Sequence, residues 1–385
     1  MHKLFPTLAL FVYLSSSVVG ILAMADEIDV WIGTSNHPSS QGIYHCWLDT
    51  DNGKLSESQL VAQIKGPGFL SLHPTQPVLY AVGTLADVPS VAAYRIAKNK
   101  SAHPNLELIN SLPIGDGGAA HVSTHSSGKM LLTAQYGGGS TGVFSLEPSG
   151  ALSAQKQLIK HEGGSRVVAG RQDTPHAHWT GYSPDQQFAF VPDLGLDRVV
   201  IYRVDAEHAQ LTPHGSGQLP PGAGPRHMKF HPNGKWIYVL NELDLSVSLF
   251  DYDASSGAMS IRQTIPTVSK EELAKEQFSS CSELRVHPNG RFVYAANRGH
   301  DTITVFEIDS LSGQLSVVEL EHIRGATPRN FNLSPDARWL LAGGQDSHTL
   351  ASFAVDAETG QLTYNRSVIT TPAPICILFR PEDAQ

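Results

Sequence analysis

Cysteine is nearly absent from this 385-residue chain: Cys46, Cys281 and Cys376 are the only three, an odd number with no CxxC spacing. That excludes a disulfide framework and a thiolate zinc site, and it leaves the three thiols as buried small apolar residues. Charge is thin as well. Asp, Glu, Lys and Arg make up 16% of the chain, and 36 acids against 27 bases leave a formal charge of -9. A nucleic-acid surface needs a broad basic footprint, so a nucleic-acid partner is excluded and any cationic site has to be local. Long apolar runs are confined to one place, from Leu8 to Leu22. That run falls short of the ~20 residues that a membrane-spanning helix requires. With Lys3 before it and Ala23-Met24-Ala25 after it, it has the three-part form of an export signal. Residues 1–25 are therefore expected to be a signal peptide removed after Ala25, leaving 26–385 as a mature periplasmic or extracellular domain with no integral membrane segment. An uncleaved anchor is the alternative.

What the chain does have is turns and repeats. With 34 Gly, 24 Pro and 41% hydrophobic residues, the composition suits a turn-rich β protein. The stretch HPNGKWIYVLNELDLSVSLFDYDASSGAM (231–259) recurs as HPNGRFVYAANRGHDTITVFEIDSLSGQL (287–315) and as SPDARWLLAGGQDSHTLASFAVDAETGQL (334–362). Weaker copies start at residues 73, 125 and 183. Each unit reads as apolar strand, Pro/Asn/Gly turn, β-branched and aromatic strand, polar turn, alternating strand and a final D-x-x-x-G turn, which is the order of a four-stranded propeller blade. The two ends complement each other: 28–55 resembles the middle and end of a unit, and 373–385 resembles a start. Six internal copies and one split copy predict an all-β, seven-bladed β-propeller of four-stranded antiparallel blades, its ring closed by strands from both termini so that no sheet edge is left free. One helix is expected, at SKEELAKEQF (269–278), between two units. A monomer is expected.

The repeat also selects a site. Gly234 closes one turn; Arg226 lies eight residues before it and Glu242 eight after, so a hairpin centred there sets the two side by side. The same register gives His178 with Leu194, Ser282 with Arg298, and Arg329 with Gln345, whereas the earlier units give Ala120 with Tyr136 and Gly68 with Thr84. Ionisable side chains thus gather on four successive blades at one mouth of the channel. A β-bulge would shift a member by one residue, and at SCSELRV (280–286) such a shift would bring in the carboxylate of Glu283.

The strings GPRHMKFHPNGKWIYVLNEL, SELRVHPNGRFVYAANRGHDTITVF and TPRNFNLSPDARWLLAGGQDS resemble the seven-bladed lactonase family, which includes propeller-type 6-phosphogluconolactonases and the fungal carboxymuconate cyclase. The resemblance covers nearly all of 26–385. It implies a metal-free, cofactor-free hydrolase that opens a sugar lactone to its aldonic acid, with a small lactone or organic anion as partner; a lactone-forming cycloisomerase and a non-catalytic ligand-binding propeller are the alternatives. The cyclase site of one His, two Arg and one Glu matches His178, Arg226, Arg298 and Glu242 in this chain. Either Glu242 or His178 would activate water, and the two arginines would hold an anion and the carbonyl oxygen as it gains charge.

Around these four, Arg329, Gln345, His176 and Tyr136 are expected to contact substrate, with a packing role as the alternative for His176. His176 and His178 share a strand face, but no third ligand is evident, so no metal site is expected. His227, His231 and His287 are assigned to turns and strand edges. Export favours an unphosphorylated aldonolactone or another cyclic ester over the phosphorylated sugar lactone that names the family.

Overall fold

A computed structural model describes residues 27–97 and 103–380. The expected signal segment, 1–25, lies outside the described residues. The rest is a ring of seven four-stranded antiparallel sheets, and the reading of an all-β propeller holds. The channel-facing first strands are Lys65–Leu72, Ala119–Thr124, Gly181–Tyr182, Pro225–Phe230, Ser280–Val286 and Pro328–Leu333, for blades 2 to 7. Blade 1 is the split one. Its first strand is Pro374–Phe379, paired antiparallel to Glu27–Thr34 through partners such as Val30 and Phe379. The segment 269–278 departs from expectation: only Lys270–Leu273 is helical, capped by Ser269, and none of its residues is buried. A helix that short gains little from its own hydrogen bonds, and its one apolar residue, Leu273, packs only partly buried against the core between blades 5 and 6.

The turn after each first strand shows why the repeat has its composition. Gly234 and Gly290 take left-handed backbone angles, φ 69° and 72°, and in the copies without glycine Gln186 and Ala337 are held at 62° and 55°. The turn histidines tie blades together: His231 Nε2 meets the Gly290 carbonyl at 2.8 Å, and His73 Nε2 meets that of Gly128 at 3.2 Å. His231 and His287 are therefore turn residues, as expected. A second tie repeats farther out, where buried Tyr80, Tyr238 and Tyr294 donate to the carbonyls of Gly150, Gly313 and Gly360 in the next blade. Between neighbouring blades lies apolar packing. In one such layer Tyr238, Leu240, Val247 and Leu249 of blade 5 meet Leu284, Val293 and Phe306 of blade 6. Cys46, Cys281 and Cys376 are free and buried, and burial pushes each thiol up to about 12, which leaves them as inert packing.

One irregularity repeats around the ring and aims the site. The first two strands of blades 3, 5 and 7 lose register between Ala119 and His121, Pro225 and His227, and Pro328 and Asn330. The residue skipped in each, Ala120, Arg226 and Arg329, is the extra residue of a β-bulge, which turns its side chain toward the channel. Blade 6 slips in the same way between Cys281 and Leu284.

Candidate active site

Register first needs correcting. Arg298 pairs with Ser280, not with Ser282, because the bulge takes up the intervening residues. Glu242 follows its strand and bonds through its N–H to the Gly224 carbonyl, so Arg226 reaches it from the bulge rather than from a directly paired position. The side chains nevertheless meet. Arg226 Nε donates to Glu242 Oε2 at 3.0 Å, Arg298 Nη2 lies 3.3 Å from Oε1, and His178 Nε2 lies 3.8 Å from Oε2. All four are buried.

They line a cavity of about 470 Å³ to which every blade contributes, with Ile375, Gly68, Ala120 and Tyr136 on its other side. Arg329 lines it too and makes no hydrogen bond or ion pair among the described residues. His176 and Gln345 are not on the wall. His176 stacks on Tyr136 at 4.5 Å and bonds to its carbonyl, so it backs a wall residue instead of presenting itself to the cavity. Gln345 sits just past its strand, with its N–H on the Thr327 carbonyl and its side-chain oxygen buried without a partner among the described residues.

Sequence reasoning missed Arg171. It lies in the excursion that connects blades 3 and 4, and its Nη2 donates to Glu242 Oε1 at 2.7 Å and to the Tyr136 hydroxyl at 3.3 Å. The excursion belongs to no repeat, so alignment of the units could not find it. Its surplus length between two regular blades was the only signal.

His227 was assigned to a strand edge; the structure places it in the channel beneath Arg226. Arg226 Nη1 can only donate, so His227 Nε2, 3.1 Å away, accepts; its Nδ1 then carries the proton and donates to Glu283 at 3.0 Å. Glu283 is fully buried and saturated: Arg285, the Leu284 N–H and Asn330 also donate to it. The bulge did bring this carboxylate inward, but one layer below the cavity floor.

The electrostatics follow from this crowd. Burial pushes the Glu242 carboxyl up, yet Arg298 and Arg226 together with Arg171 outweigh it and hold it down at about 2. Burial lowers His178 well below its ordinary 6.5, and Arg226, His227 and Arg329 lower it further, so its ring is neutral at pH 7. Its Nδ1 has no partner among the described residues, nor has Arg298 Nε. Burial draws Arg226 down to about 9 against the pull of Glu242, still charged at neutral pH. Four guanidinium groups and one carboxylate line the cavity. Such a site favours an anion, offers a neutral imidazole to a water molecule, and holds donors where a carbonyl oxygen could gain charge. Among the described residues no group of three or more His, Cys, Asp or Glu side chains is placed to hold a metal ion.

Comparison with known proteins identifies the family to which this fold belongs. Residues 29–379 match the family described as Lactonase, 7-bladed beta-propeller. The chain is 34% identical to the 6-phosphogluconolactonase of Bacillus subtilis over 349 residues, 91% of this chain and 97% of that one. It is 32% identical to the 6-phosphogluconolactonase of Formosa agariphila, over 73% of this chain and 79% of that one. A solved structure of the periplasmic gluconolactonase of Pseudomonas aeruginosa superimposes with a TM-score of 0.83 at 28% identity, covering 92% of this chain and 99% of the other.

Proposed function

The chain belongs to the lactonase family of seven-bladed β-propellers, and on that premise we propose that it hydrolyses an anionic sugar lactone to its aldonic acid in the cavity at the channel mouth. One observation carries the reading: three arginines and a neutral histidine converge on a single buried carboxylate, and a fourth arginine, Arg329, lines the same cavity.

In this reading His178 is the base. A carboxylate held at about 2 is a weak base, and Glu242 is already engaged by Arg171 and Arg226. His178 has a free ring nitrogen. Its basicity is depressed by burial and in part by Arg226 and Arg329, so an anionic group bound against those arginines raises it when substrate is present. Water attacks the lactone carbonyl and gives its proton to His178. Arg226 and Arg298 stabilise the negative carbonyl oxygen, and Glu242, 3.8 Å away, stabilises the imidazolium. The ring C–O bond then breaks, and the departing oxygen takes the proton from His178 as a hydroxyl. Arg329 and Arg298 Nε, with donors to spare, hold the anionic group; a phosphate or a carboxylate fits.

Export of the mature 26–385 domain after removal of 1–25 belongs to the same reading. It is supported by the signal-like segment and by the periplasmic description of the Pseudomonas relative. No helix of the described residues is long and apolar enough to cross a membrane.

The test is the hydrolysis rate of 6-phosphogluconolactone and gluconolactone at controlled pH by residues 26–385, beside a His178→Asn variant, counting only the excess over buffer. A variant-sensitive excess supports the reading, and the ratio of the two substrates says whether phosphate is recognised. No excess on either lactone rejects sugar-lactone hydrolysis and leaves a ligand-binding propeller.

A further inference from the structure

The channel has a second cavity, of about 430 Å³, on the side of the first-to-second-strand turns. A layer of rings separates it from the first: Phe69 and His121 lie tilted against each other with centroids 4.0 Å apart, and His227 lies 5.8 Å from His121. Its chemistry is unlike that of the mouth. Ser71, Ser123, Thr124 and Thr180 supply hydroxyls, Trp179 and Phe230 supply apolar surface, and Lys229 supplies the charge.

Lys229 is the unusual member. It is half-buried, and its ammonium lies 4.7 Å from the centre of the Trp179 ring. It makes no hydrogen bond or ion pair among the described residues. The one nearby carboxylate, Glu283, is consumed by His227, Arg285, Asn330 and the Leu284 N–H. A charge withdrawn from water without a counter-charge is costly, and a cation–π contact offsets only part of that cost. The Trp179 indole N–H is buried with no partner among the described residues, and so is the Tyr182 hydroxyl. Gly181 leaves the room that the Trp179 ring occupies, since a side chain there would collide with it. A cation with no anion in hydrogen-bond reach and a wall of hydroxyls line one space, and two unsatisfied polar groups lie buried in its wall.

We propose that this turn-side cavity is a second binding site, for a small hydroxycarboxylate, with Lys229 as its counter-charge and the hydroxyl wall as the partner of its hydroxyl groups. The site is independent of lactone turnover, since neither Lys229 nor the hydroxyls touch the cavity at the mouth. Four titratable or charged groups face Lys229: Arg285 and Glu283 from blade 6, His121 from blade 3 and, on its own strand, His227, which burial keeps neutral. Burial draws the amine down to about 7, and Arg285 adds to this while Glu283 opposes it. His121 is lowered well below its ordinary value by its own burial and stays neutral. The bound carboxylate should therefore raise the titration midpoint of Lys229, and affinity should fall as pH rises through about 7.

The experiment is an NMR titration of lysine-labelled protein with glycolate, acetate and inorganic phosphate, the Lys229 signal being identified by its absence in Lys229→Arg. The expected result is a saturable shift of that signal with glycolate, weaker with acetate, together with a raised midpoint. Lys229→Met should weaken glycolate binding at this site by roughly tenfold or more, read on the Trp179 indole signal, while lactone turnover stays at the wild-type rate. Should Lys229→Met fail to fold, the wild-type titration still decides. A Lys229 signal that ignores both carboxylates overturns the proposal, as does a response to phosphate alone. Loss of lactone turnover in a folded Lys229→Met protein would overturn the independence of the two sites.

Discussion

On blades 4 to 7 the rim of the channel carries His178, Arg226, Glu242, Arg298 and Arg329; on blades 1 to 3 the equivalent places hold Ile375, Gly68, Ala120, Thr84 and Tyr136. The same backbone device occurs on both arcs: the bulge that turns Arg226 inward on blade 5 turns Ala120 inward on blade 3. Repetition supplies the aim, and side-chain choice supplies the chemistry. A charged arc facing a neutral one can seize an anion at one end of a substrate while the other end rests on apolar surface and on the Tyr136 ring.

Substitutions along the two arcs should separate them sharply. The largest effect is expected for His178→Asn, which keeps the ring's space roughly filled but removes its basicity: kcat should fall by about 10²–10⁴ with little change in KM. Arg226→Met should lower kcat by about 10²–10³. It should also lower the melting temperature, because it strands Glu242 among fewer cations and removes the donor to His227. For Glu242→Gln the informative readout is acid unfolding. The native carboxyl sits at about 2 against an unfolded value near 4.5, so its contribution is complete above about 4.5 and is lost as pH falls toward 2. The variant should be less stable at neutral pH and should show a flatter stability profile across that window. The smallest effect belongs to the neutral arc: Ile375→Val should change kcat/KM by less than about tenfold. An Ile375→Val loss matching that of Arg226→Met would erase the distinction between the arcs.

The fold was legible because blades repeat, and repetition lets one chain align with itself. Gln186 and Ala337 were matched to Gly234 by position, and all three share a left-handed backbone. The closure of the ring was readable from the complementary ends. The quartet was legible because bulge and strand end recur at fixed offsets from the turn. Pairing was less so: the bulge moved Arg298 opposite Ser280, since a skipped residue leaves no trace in spacing. Arg171 escaped because it sits outside the repeats. Glu283 was legible as the carboxylate a bulge would turn inward, though its depth was not; His227 and Lys229 escaped for another reason. They lie deeper on the same first strands, at positions where a strand in an ordinary sheet would face solvent or packing, and only the ring arrangement turns them toward one another.

The pairing of Pro374–Phe379 with Glu27–Thr34 joins residues separated by nearly the whole chain, and it has a kinetic consequence. Contacts of such high sequence separation carry a large loop-closure cost and form late. Blade 1 lacks its channel-facing strand until residue 379 is available, so the channel stays open during synthesis. The unclosed arc should remain slow to lock and easy to unravel. That delay follows from where the last strand lies in the sequence.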